Sequence, residues 1–239
     1  MSFDPYEFDR SYGSSARGLS EGEYTARTFL WMVLGLMVTF GVAVLCWLTN
    51  VTIYALILIH AVQVIVLVAT LILSFLMVRR IERMSVATAR TMFLVFSALF
   101  GFTMSIYLLI YDLASLVFAF LATALYFGVL AVYGRLTGRD LSSVRPILFS
   151  GLLFLVIFGV ISLFIPGLSV FDSIVCLVGI AVFLGYTAYD TQRIRAFYHY
   201  YAGYPDMLEK ASIFAALQLY LDFVNLFLYL LRFLGRRRD

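Results

Sequence analysis

From Thr28 to Val78 the chain carries no Asp, Glu, Lys or Arg, and from Pro146 to Tyr189 its only charged residue is Asp172. A helix needs about 20 predominantly apolar residues to cross the hydrocarbon core of a bilayer. Runs this long therefore constrain the chain to membrane-spanning helices. The totals agree: of 239 residues, 63% are hydrophobic and 13% charged, against roughly 25% charged in an average soluble domain. A soluble enzyme, a nucleic-acid-binding domain and a disordered chain are excluded. The 16 Arg and one Lys lie scattered in short connections with no basic stripe, so nucleic acid is not a partner. Cys46 and Cys176 both fall inside apolar runs and read as small buried thiols.

The apolar runs divide into seven spans, at 28–48, 53–78, 91–111, 113–133, 146–165, 171–191 and 211–232. The expected organisation is a mobile cytoplasmic tail over 1–26, a membrane domain over 27–234 and a basic tail over 235–239. Residues 1–27 are polar and mixed in charge and show no signal peptide. The fold class is an all-α integral membrane protein.

The basic residues set an orientation. Arg10, Arg17 and Arg27 precede the first span. Arg79, Arg80, Arg83 and Arg90 separate the second from the third, and Arg135, Arg139 and Arg145 the fourth from the fifth. Arg193, Arg195 and Lys210 separate the sixth from the seventh. The alternate connections carry no basic residue. The positive-inside rule then places the N-terminus in the cytoplasm. Arg232, Arg236, Arg237 and Arg238 conflict with this, because seven crossings leave them outside. Either the last segment is re-entrant or its Arg cluster stays on the far side. The last segment is the most polar of the seven, which suits a helix at the centre of the other six.

Ionisable groups inside spans cost roughly 2.5–3.5 kcal/mol each at the helix centre and demand a reason. Asp112 and Asp172 stand at span starts and read as helix caps. Asp222 lies mid-span, and Gln218, Asp222 and Asn225 at i, i+4 and i+7 put two amides and a carboxylate on one face. Asp190 lies at the cytoplasmic end of the sixth span, with Arg193 three residues on. His60 and Gln63 share a turn of the second span, as a satisfied buried histidine or a proton relay. Ser97, Gly101 and Ser105 form a small-residue face for close helix packing. The cluster from Phe197 to Tyr201 reads as an interfacial aromatic belt after the sixth span.

Tyr189-Asp190, Gln192-Arg193-Ile194, the stretch from Leu219 to Phe227 and Leu230-Leu231-Arg232 together resemble the Bax inhibitor (transmembrane Bax-inhibitor-motif) family. Met84-Ser85, Thr88-Ala89 and the Gly101 region are similar to its bacterial branch, and the resemblance covers residues 24 to 234. It implies a last helix wrapped by six others, a hydrogen-bonded Asp190–Asp222 pair that senses pH, and a pH-dependent calcium leak. It also implies an Arg latch near the cytoplasmic end of the second span. Arg79, Arg80 and Arg83 all lie there, and an ungapped count from Gly101 points to Arg83.

Elementary electrostatics supports such a role. Two carboxylates in contact do not both ionise cheaply, so they share a proton. Once it leaves, they repel or take up a cation. Calcium binds six to eight oxygens, and Asp190 and Asp222 with Gln218, Asn225 and backbone carbonyls supply part of that shell. The expected partners are membrane lipid, calcium and protons, with no cofactor, in a bacterial inner membrane. The alternative is a regulatory protein that binds a membrane protease or a stress- or death-signalling partner. An intramembrane aspartyl protease is disfavoured, because Asp222 follows Tyr220-Leu221 and lacks the Gly-x-Gly-Asp motif. No other catalytic motif is present, so no enzyme activity is expected.

Overall fold

The computed structural model describes residues 19–58, 61–80, 83–162 and 164–236. Among them, seven helices are long and apolar enough to cross a membrane. They are Glu21–Leu48, Val62–Arg80, Val86–Ile110, Leu113–Leu136, Leu141–Ser162, Asp172–Tyr201 and Pro205–Leu234, called here the first to seventh spans. No strand occurs among the described residues.

The starts of several spans follow from local chemistry. Ser20 and Glu23 form a capping box: Glu23 N–H donates to Ser20 Oγ (3.2 Å) and Ser20 N–H to Glu23 Oε2 (2.8 Å). Ser85 caps the third span through Thr88 N–H, and Asp112 caps the fourth through Ser115 N–H. Pro205 opens the seventh, where its missing N–H is no loss. Asn50 has a φ of 57°, a left-handed conformation that Asn tolerates, at the turn after the first span. Inside the spans, threonine hydroxyls return to their own helix. Thr28, Thr70, Thr123 and Thr187 each donate to the carbonyl four residues back, so these buried hydroxyls are satisfied within their own helices.

Several boundaries move. The first helix begins at Glu21 instead of following a tail that runs to residue 26; residues 1–18 lie outside the described set. The second apolar run divides into a short helix, Val51–Leu58, and the span Val62–Arg80. The sixth span continues to Tyr201, so the aromatic cluster forms its last turns and not a following loop. At 1.5 Å per residue the 30-residue sixth and seventh helices are each about 45 Å long and outrun the hydrocarbon core.

The seventh helix is the most buried, with 67% of its apolar window enclosed, against 11% for the second and fifth spans. Its main packing is against the first, third, fourth and sixth spans. The second and fifth pack chiefly on the third and sixth. Four neighbours, where the sequence reading expects six, thus make its principal contacts.

The seventh helix is also continuous, which removes the re-entrant alternative. Beyond its C-terminal end, Arg236 N–H donates to Ser115 Oγ (2.9 Å) and Arg236 C=O accepts from Asp112 N–H (3.3 Å). Arg232 meets Asp172 there at 2.6 Å. The opposite face of the bundle holds the start of the first span: Glu21 pairs with Arg195 (3.2 Å) and His199 (3.4 Å), and Tyr198 Oη donates to Leu19 C=O. Residues 20 and 236 therefore lie on opposite faces.

Candidate functional site

Asp222 owes its direction to its neighbours. Tyr220 is fully buried among Phe93, Phe96 and Phe100 of the third span, with ring centroids 5.5–6.1 Å away. Thr39 Oγ1 donates to Ser97 C=O, so its contact with Tyr220 Oη at 2.6 Å has Tyr220 as donor, tying the seventh span to the first. Phe223 packs between Phe120 and Phe127 of the fourth span, at 5.6 and 5.5 Å. These two anchors fix the rotation of the helix that carries Asp222, and that helix packs closely on the sixth span, which carries Asp190. Tyr186, one turn before Asp190, lies within electrostatic reach of both acids and of Arg145.

The sixth span is held at this level by Gly134. A Cβ there would sit 2.2 Å from Ala188 C=O, so only glycine allows the fourth helix to approach so closely two residues before Asp190. Gly101 has the equivalent role in the third span, where a Cβ would lie 2.5 Å from Thr39 C=O. Its neighbours Ser97 and Ser105 are fully buried, as the small-residue spacing suggests.

Both acids are buried, Asp190 7% and Asp222 5% exposed. Arg193 donates to Asp190 Oδ1 at 3.4 Å, the i+3 pairing readable from the sequence, and its guanidinium also covers the rings of Tyr189 and Phe197. Arg145 lies within electrostatic reach of Asp190. Asp222 Oδ2 is buried with no hydrogen-bond partner among the described residues. A buried polar atom in that condition calls for an explanation. Of the two amides, Asn225 turns back to donate to Leu221 C=O (2.8 Å), and Gln218 is half-buried. No group of three or more His, Cys, Asp or Glu residues gathers here or elsewhere among the described residues.

The latch candidates stand apart. Arg79 stacks over Phe75 at 4.5 Å, and Arg80 and Arg83 are exposed. The cation bonded to Asp190 among the described residues is Arg193. His60 lies outside the described residues, and the Gln63 amide is buried without a partner among them. Asp112 is a cap as expected; its hydrogen bonds with Ser115 hold its carboxyl below the usual carboxylate range. Asp172 is not a cap. The sixth helix has Phe171 at the capping position, with no side-chain bond, and the Asp172 carboxylate is engaged by Arg232.

A multi-pass helical membrane protein with a buried aspartate on each of its two most enclosed helices is the class that fold and site define. The chain is a member of the family described as Inhibitor of apoptosis-promoting Bax1, whose model matches residues 22–239. It is 38% identical over 216 residues to an uncharacterized protein of Rickettsia prowazekii, covering 90% of each chain. It is 35% identical over 219 residues to the inner membrane protein YbhL of Escherichia coli K12, covering 90% of this chain and 92% of that one. An uncharacterized Borreliella burgdorferi protein is 35% identical over 227 residues, with 92% and 95% covered.

Proposed function

We propose that this protein is a pH-sensitive calcium leak of the bacterial inner membrane, with its N-terminus in the cytoplasm and the Asp190–Asp222 pair as its gate. The observation that supports this reading is a buried aspartate on each of the two most enclosed helices, which pack against each other. With a proton shared between them, the carboxyls hold the sixth and seventh spans together. When that proton leaves, two negative charges face each other at low dielectric; they separate the helices or accept a cation. Two carboxylates with nearby carbonyls supply only part of the oxygen shell that calcium takes, which suits passage better than storage. Arg193 competes with an arriving cation for Asp190, so its swing off the carboxylate belongs to opening.

The test is calcium flux into proteoliposomes between about pH 5 and 8. Wild type changes its flux across this range, whereas Asp190→Asn and Asp222→Asn each lose the pH dependence. Unchanged flux and unchanged pH dependence in Asp222→Asn would refute the mechanism.

A further inference from the structure

A second polar site lies beside the pair but separate from it. Between the starts of the first span and the ends of the fourth and sixth is a cavity of about 280 Å³. Its wall includes Arg135, Arg139, Arg195, Glu21, Asp140 and Thr191. The two acids are already engaged. Glu21 is held by Arg195 and His199, and Asp140 accepts from Ser142 N–H (2.8 Å) and Ser142 Oγ (2.7 Å), hydrogen bonds that keep its carboxyl below the usual range. Arg135 and Arg139 form no ion pair among the described residues. Thr191 is 3% exposed, and its Oγ1 is buried with no hydrogen-bond partner among the described residues.

The loop that carries these groups is also fixed in place. Gln192 Nε2 donates to Arg139 C=O (2.7 Å), and Gln192 Oε1 accepts from Leu141 N–H (2.9 Å). One amide of the sixth span thus clamps the connection between the fourth and fifth.

We propose that this cavity binds an oxyanion of the phosphate class, with Arg135 and Arg139 as forked donors and Thr191 Oγ1 donating from the wall, beside the Arg195–Glu21 ion pair. Guanidinium groups match the geometry of phosphate oxygens and donate two hydrogen bonds at once. An excess of cations, an unsatisfied buried donor and carboxylates occupied elsewhere favour an anion over calcium at this place. The phosphate can come from a soluble anion or from the headgroup of a lipid in the adjoining leaflet.

Calorimetric titration of the full-length protein in detergent with inorganic phosphate, at constant ionic strength against chloride, tests the soluble source. Nanodiscs of phosphatidylglycerol compared with phosphatidylcholine test the headgroup through thermal stability. Saturable phosphate binding, weakened about tenfold in Arg139→Gln and in Thr191→Val, supports the site with a soluble ligand. Stabilisation by phosphatidylglycerol alone, lost in the Arg135→Gln/Arg139→Gln double variant, supports it with a lipid headgroup. Neither effect, or effects that persist unchanged in variants with wild-type helical circular dichroism, overturns the proposal. Arg139→Gln alters an exposed side chain and leaves the clamped carbonyl in place, so it remains informative if Thr191→Val does not fold.

Discussion

Two meetings of charged groups between the sixth and seventh helices, one observed and one proposed, are opposites. Near one end Asp172 and Arg232 form an ion pair at 2.6 Å, with the side chains 33% and 45% exposed. Farther along the same helices lie Asp190 and Asp222, the proposed pair, 7% and 5% exposed. The first contact is complete: opposite charges, direct hydrogen bonding and access to water or headgroups. The second, as proposed, joins two acids, with one long bond to Arg193 and an oxygen with no partner among the described residues. A satisfied, solvated pair adds little to stability and has no reason to change. A buried, unsatisfied carboxyl is costly when charged, and under the proposed function this is what makes the pair respond to pH.

The sharpest structural challenge to the contrast is Gly134→Ala. The added methyl must displace the Ala188 backbone, since its Cβ position lies 2.2 Å from that carbonyl. Overpacking of this kind costs about 1–3 kcal/mol. Thermal unfolding in detergent shows a lowered midpoint, and the pH response of calcium flux weakens because Asp190 moves with the sixth helix. A wild-type pH response in a destabilised Gly134→Ala protein would separate the pair from the packing that is held to position it.

Arg232→Gln probes the other meeting and has a smaller effect. Exposed ion pairs contribute about 0–1 kcal/mol, and this one is one-third to one-half exposed. The melting midpoint shifts little, and the pH profile of flux between about pH 5 and 8 is unchanged. A profile displaced in Arg232→Gln would show that the two meetings are coupled through the helices.

Asp112→Asn is expected to have the smallest effect in that window. Hydrogen bonding to Ser115 lowers the Asp112 value in the folded protein. A depressed carboxyl adds stability above its unfolded value of about 3.9 and loses it as pH falls through the lower folded value. The variant therefore differs from wild type in the acid dependence of its stability below about pH 4, not in its neutral flux profile. Stability curves measured against pH for both proteins check this.

How far the chain could be read in advance follows the same division between local and distant. The seven spans are legible because hydropathy reports them directly. The Asp112 cap and the Asp190–Arg193 contact are legible because both depend on residues three apart. Asp222 stands out because a mid-span carboxylate has no local excuse. Asp172 misleads: it occupies a capping place in sequence, yet its partner lies 60 residues away and becomes visible only when the seventh helix runs antiparallel to the sixth. The same distance hid the course of the last segment, since positive charge argued for a return to the cytoplasmic side while helix continuity carries it through. The end of the sixth helix and the start of the seventh were underestimated because hydropathy stops at the hydrocarbon boundary and the helices do not. Gly134, just past the fourth apolar run, is the contact point of two helices, a role that its sequence neighbours do not reveal.

Infrared difference spectroscopy tests the central claim most directly. Spectra of the protein in membranes, recorded at about pH 5 and pH 8, report protonated carboxyl groups through their C=O stretch. Wild type shows such a band at the acidic end that fades at the alkaline end, and neither Asp190→Asn nor Asp222→Asn shows it. A titrating band that survives in both variants, or a wild-type band that does not titrate in this range, would contradict a gate built on the Asp190–Asp222 proton.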